Sequence, residues 1–213
     1  MSSVITERAD FAAIQSPEAL RRLPLADLPL FCDYLRTFVL ESVAASGGHL
    51  SSNLGSIELT VALHYVFDSP RDRFMWDVGH QCYAHKILTG RKHAMGTIRK
   101  TGGLSGFPKR SESEHDLYNT GHAGTAISQA MGEAVAARLT AKSTEKMPTA
   151  VAIVGDASIV TGMSFEAMNH VGFERTPMLV ILNDNEMSIS KNVGAISYHL
   201  TKLINTRLYR KSK

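Results

Sequence analysis

The chain has 213 residues, of which 44% are hydrophobic and 20% charged, with a formal charge of +3. This composition supports one large or two small globular domains and excludes disorder, collagen and coiled coil. The longest apolar runs, 150–154 and 178–182, are strand-sized and far short of the roughly 20 residues a membrane helix needs.

In chain order, residues 1–11 carry Glu7 and Asp10 without an apolar core segment, unlike a secretory or transit signal. A soluble, cytoplasmic protein with no membrane partner is expected. Ser16-Pro17-Glu18 opens a short helix that ends near Arg22, before Pro24. Asp27 caps a longer helix whose apolar positions Phe31, Leu35, Phe38 and Val39 fall at helical spacing, and Gly47-Gly48 stops it. A second amphipathic helix spans about 56–67. A short strand, 74–77, runs into Gly79-His80 and a helix over 83–88. Residues 100–125 are polar and glycine-rich without periodicity; a loop of this length is usually functional or mobile. An alanine-rich helix, 126–141, precedes the two clearest strands, 150–154 and 178–182, which flank a helix over 164–171. Strand, helix, strand at this spacing is a right-handed parallel crossover. The fold class is therefore α/β: an open parallel sheet flanked by helices.

Cys32 and Cys82 fall within predicted helices and form no C-x-x-C pair, so both read as reduced, packed thiols. The basic cluster Arg207, Arg210, Lys211 and Lys213 lacks interleaved aromatic residues and reads as a solvated tail rather than a nucleic-acid site. Nine histidines are many for this length. No H-E-x-x-H, nucleophile elbow or G-x-G-x-x-G occurs, so hydrolase and dinucleotide readings lack support.

In open α/β sheets ligands bind beyond the carboxyl ends of the strands. Standing there are Gly155-Asp156-Ala157-Ser158, Asn183-Asp184-Asn185-Glu186-Met187, Gly79-His80 and, before the 126–141 helix, Thr120-Gly121-His122-Ala123-Gly124. Asp156 and Asn185, 29 residues apart, each lie just past the tip of a neighbouring or near-neighbouring strand. Alone, either residue reads as a cap or turn former. As a pair they suit a hard cation such as Mg2+ that takes its other ligands from water and phosphate. The small residues Gly155, Ala157 and Ser158 leave room for backbone amides to meet phosphate oxygens. His49, His80 and His122 each follow a glycine in a loop or at a strand tip, whereas His64 reads as packed or surface. His85 is ambiguous, and His93, His115, His170 and His199 offer no site argument.

Several blocks occur together: Gly48-His49-Leu50-Ser51-Ser52-Asn53-Leu54-Gly55, Trp76-Asp77-Val78-Gly79-His80-Gln81, His85-Lys86-Ile87-Leu88-Thr89-Gly90-Arg91, Gly102-Gly103-Leu104-Ser105-Gly106-Phe107 and Asn183-Asp184-Asn185-Glu186-Met187-Ser188-Ile189-Ser190. Over about 20–209 the sequence resembles 1-deoxy-D-xylulose-5-phosphate synthase, a thiamine diphosphate-dependent family of the transketolase-like superfamily. The resemblance implies that Asp156, the Asn185 side chain and the Met187 carbonyl bind Mg2+. It also implies that Ala157 and Ser158 lie on the diphosphate, and that His80 and the Gly121-His122-Ala123 turn line the cofactor. His49 would sit near the reactive carbon and the substrate. The family often has glycine at the positions of Ala157 and Asn53; the first is a small change, and the second implies a slightly altered turn.

The implied chemistry is condensation of pyruvate with D-glyceraldehyde 3-phosphate, with loss of CO2, by a homodimeric transferase of isoprenoid, thiamine and pyridoxal precursor synthesis. The family's enzyme is much longer, and its pyrimidine-binding and C-terminal domains have no counterpart in 1–213. This chain is expected to hold the diphosphate and metal half of the site and to be inactive alone. Two alternatives stay open: the N-terminal subunit of a split transketolase, and a non-catalytic diphosphate-binding module pairing through a Leu200, Leu203, Ile204 and Leu208 face.

Overall fold

Ser16 starts the first helix, its Oγ accepting the Ala19 amide at 3.2 Å ahead of α1 (Pro17–Arg21). The computed structural model describes residues 10–141 and 146–184, with Ala195 and Lys202. α2 (Leu28–Ser46) buries Phe31, Leu35, Val39 and Val43 at four-residue spacing and ends at Gly47, whose φ of 76° suits glycine. A short helix absent from the sequence reading, α3 (Leu50–Leu54), precedes α4 (Ile57–Val66). Next come β1 (Arg73–Trp76) and α5 (Tyr83–Lys86), which runs on into a wider turn to Arg91. α6 (Ala126–Thr140), β2 (Ala150–Gly155), α7 (Asp156–Ile159), α8 (Gly162–Glu174) and β3 (Leu179–Asn183) complete the described elements.

The three strands are parallel in the order β1-β2-β3, with Trp76 opposite Ile153 and Gly155 opposite Asn183. Side chains alternate across a strand. Phe74, Trp76, Val151 and Ile153 therefore face one core, shared with α1 to α5. Met75, Ala150, Ala152 and Val154 face the other, built from α6 and α8. The alanines of β2 meet Ala126, Ala130 and Ala134 of α6, so helix and sheet approach closely. β2 is covered on both sides up to Val154, as expected of a central parallel strand.

Residues 100–125 hold no helix or strand, in line with the sequence reading, yet the segment is tied down. Buried Asp116 accepts hydrogen bonds from the Lys109 amide (2.8 Å) and Arg91, and Glu112 accepts from the Ser105 amide (2.7 Å). Cys32 lies inside α2, but Cys82 stands just ahead of α5 rather than within it. Both thiols are free, and burial pushes them up, to about 11 and about 12.

Candidate functional site

The strand tips meet polar loops, and Asp77 organises the junction. It follows β1, is 1% exposed, and accepts the Gly124 and Ala126 amides at 2.9 and 3.0 Å. A carboxylate at a helix start satisfies amides that the helix cannot and is favoured by the helix dipole. Asp77 thereby fastens the Gly121–Gly124 loop to the tip of β1. Beyond it the backbone turns through Val78 and Gly79, both at positive φ. A Cβ on Gly79 would fall 2.3 Å from Thr120 Oγ1 and 2.4 Å from Pro108 Cδ, so the close approach requires glycine.

The turn delivers His80 against His49, edge to face with ring centroids 5.3 Å apart, and Phe107 stands 6.0 Å from His49. Asn53 joins the two histidine loops. Fully buried, it donates from Nδ2 to the carbonyls of His49 (2.5 Å) and His80 (2.7 Å), and its Oδ1 accepts the Tyr83 amide (2.8 Å). It lies within α3 rather than in a turn, so its side chain acts as a crosslink. Burial lowers both histidines; the charge of Arg99 adds to the effect at His49, and His49 adds to it at His80. His49 Nδ1, His80 Nδ1 and Thr120 Oγ1 are buried without a hydrogen-bond partner among the described residues. Unpaired polar atoms gathered at a sheet's carboxyl edge are what a polar ligand would satisfy.

The Gly155–Asn183 pairing sets Asp156, the first residue of α7, beside the Asn183-Asp184 tip of β3, so the two strand tips of the sequence reading are immediate neighbours. Ala157 is exposed and Ser158 buried, while Gly121, His122 and Ala123 form an accessible rim before α6. Asn185 and Met187 lie outside the described residues, as does the Leu200 to Leu208 face. Among the described residues no three His, Cys, Asp or Glu side chains are grouped so that they could hold a metal ion.

Behind the histidine pair runs a buried network. His85 Nε2 donates to Asp116 Oδ1 (3.0 Å), which orients the ring so that His85 Nδ1 accepts from His64 Nε2 (2.9 Å). Arg91 binds Asp116 through both terminal nitrogens, at 2.5 and 3.0 Å, and Lys86 Nζ meets Glu112 Oε2 at 2.5 Å. Burial lowers His85 to about 4, against the pull of Asp116. Burial alone would raise Asp116, but the hydrogen bonds from His85 and Arg91 hold it well below the usual carboxylate range.

This geometry coincides with clear sequence relationships. A family profile for 1-deoxy-D-xylulose-5-phosphate synthase matches residues 11–213. The chain belongs to the 1-deoxy-D-xylulose-5-phosphate synthase family. It is 55% identical over 209 residues to the 1-deoxy-D-xylulose-5-phosphate synthase of Alkalilimnicola ehrlichii, covering 98% of this chain and 33% of the relative. The proteins of that name from Paraburkholderia xenovorans and Escherichia fergusonii are 57% identical over 197 residues and 53% over 209, covering 92% and 98% of this chain and 30% and 33% of theirs. The chain thus spans about a third of the length of these curated relatives, matching their N-terminal part.

Family membership removes the transketolase alternative. Within this synthase family chain, the structure brings together His49 and His80 and sets Asp156 beside the end of β3 at Asn183. Sequence reasoning gave no role to Asp77, Glu112 and Asp116, and read Asn53 only as an altered turn. Asp77 had a visible signal, an acid directly after an apolar strand, whereas the others work through long-range partners that no local pattern displays.

Proposed function

We propose that this chain forms the diphosphate- and metal-binding part of a 1-deoxy-D-xylulose-5-phosphate synthase that joins pyruvate to D-glyceraldehyde 3-phosphate with release of CO2. The observation that carries this reading is the meeting of strand tips: Asp156 beside the Asn183-Asp184 tip of β3, and His80 with His49 against it beyond β1 on the same edge. The residues present fit Mg2+ and thiamine diphosphate. Asp156, the Asn185 side chain and the Met187 carbonyl would hold the cation, a set of hard oxygen donors. The backbone of Ala157 and Ser158 would meet the diphosphate, and His80 with Gly121, His122 and Ala123 would line the cofactor. When bound, thiamine diphosphate supplies the electron sink that pyruvate decarboxylation requires.

The chain's own part is to bind, orient and handle protons. His49, kept neutral near pH 7 by burial, offers the unpartnered Nδ1 for proton exchange with substrate. The enzyme so formed is a homodimeric, cytoplasmic transferase of isoprenoid, thiamine and pyridoxal precursor synthesis. Among the described residues no helix is long and apolar enough to cross a membrane.

The test is product formation from both substrates with Mg2+ and thiamine diphosphate. The complete gene product that carries this chain is expected to turn over, and the 213-residue chain alone to give no product. A complete gene product without activity, or a lone chain matching its rate, would overturn the reading.

A further inference from the structure

The segment 105–109 runs beside His49 and the Gly79 turn, and it has no helix or strand to hold its shape. Its ends are tied instead by two carboxylates. Glu112 Oε1 accepts the Ser105 amide at 2.7 Å while its Oε2 accepts from Lys86 Nζ at 2.5 Å. Asp116 accepts the Lys109 amide at 2.8 Å together with the fork of Arg91 and the ring of His85. Lys86, Arg91, Glu112 and Asp116 thus form a neutral group of four charges, with side chains at most 12% exposed. Between the two ties stand Phe107, beside His49, and Pro108, packed on Gly79 next to His80.

The cations of this group and the histidines share one base. Lys86 and Arg91 come from α5 and its continuation, and α5 begins at Tyr83. The Tyr83 amide is held by Asn53, and its hydroxyl accepts the His49 amide at 3.4 Å. Buried ion pairs add little net stability, since desolvation offsets their attraction, and their best-supported use is to select one conformation. An irregular loop is where such selection matters most.

We propose that Glu112 and Asp116 are positioning residues of the proposed synthase site: clamped to Lys86 and Arg91, they fix the 105–109 segment so that Phe107 walls the His49 side of the site and Pro108 seats the His80 turn. The inference rests on the reading that His49 and His80 line the cofactor and substrate.

The test combines imidazole NMR of this chain with kinetics of the complete gene product, using E112Q, F107L, the double variant and H49A. Because Glu112 is argued to act through Phe107, E112Q is expected to shift the His49 ring signals and to lower kcat/KM by about tenfold, within the range that misplacement of about 1 Å can cause. In the F107L background, E112Q should change kcat/KM by less than about twofold, since the group it positions is already altered. If E112Q does not fold, R91K, which keeps the charge but loses the fork, serves in its place with the same expectations. Unchanged His49 signals, or an effect that multiplies fully with that of F107L, would overturn the inference while leaving the site reading intact. Turnover by H49A at the unaltered rate would instead overturn the site reading, and the inference with it.

Discussion

Asn53 shows how much of the site hangs on one side chain. Its three hydrogen bonds join the carbonyls of His49 and His80 to the start of α5 in a fully buried position. Removing it leaves two acceptors and a donor unpaired, each costing about 1–3 kcal/mol. Asn53→Ala is therefore expected to lower the unfolding free energy by about 3 kcal/mol in urea titrations; a loss under about 0.5 kcal/mol would contradict the crosslink. The buried histidines set a pH dependence of definite sign. Burial lowers His85 to about 4 in the folded chain from an ordinary 6.5, so between these values the unfolded chain binds more protons. Stability should fall as pH drops from about 6.5 to about 4. His64, lowered by burial, acts in the same direction, and the contribution of Asp116, lowered from 3.8, is lost at still lower pH. A urea midpoint that stays level or rises from pH 7 to pH 4 would refute this. At this scale the sequence was only partly legible. His49 and His80 stood out because glycine precedes each, but a buried asparagine or a paired histidine looks like any other until the fold supplies its partner.

The elements were legible where periodicity is strong. Four-residue spacing marked α2, and two apolar runs marked β2 and β3, because burial of one stripe or of both strand faces leaves a direct trace in the sequence. The short helices α3 and α7 were missed: each is a single turn whose placement comes from neighbouring contacts rather than from its own pattern. The loop 100–125 was recognised as irregular, but its ties to Arg91, Lys86 and Asp77 are charge pairings over long sequence separations. Hydrogen exchange separates a tied loop from a loose one. The amides of Lys109 and Gly124, bonded to buried carboxylates, should exchange far more slowly than those of the exposed Ser111 and His122. Equal, fast exchange at all four would show that the carboxylates do not hold the segment.

For the molecule as a whole, the parallel order β1-β2-β3 turns three separate motifs into one edge; the parallel pairing of β2 with β3 was deducible from the strand, helix, strand spacing, whereas the place of β1 beside β2 was not. Family membership extends over residues 11–213, while the relatives' remaining length lies beyond what this chain spans. The central claim is that this edge holds Mg2+ and thiamine diphosphate through Asp156 and Asn185. Calorimetric titration of thiamine diphosphate with Mg2+ into the complete gene product, compared with Asp156→Ala and Asn185→Ala, tests it most directly. On the proposed site each substitution would remove one of two protein side-chain oxygens from the cation, so affinity should fall at least tenfold, about 1.4 kcal/mol. Affinities in both variants within twofold of the unaltered protein would contradict the account.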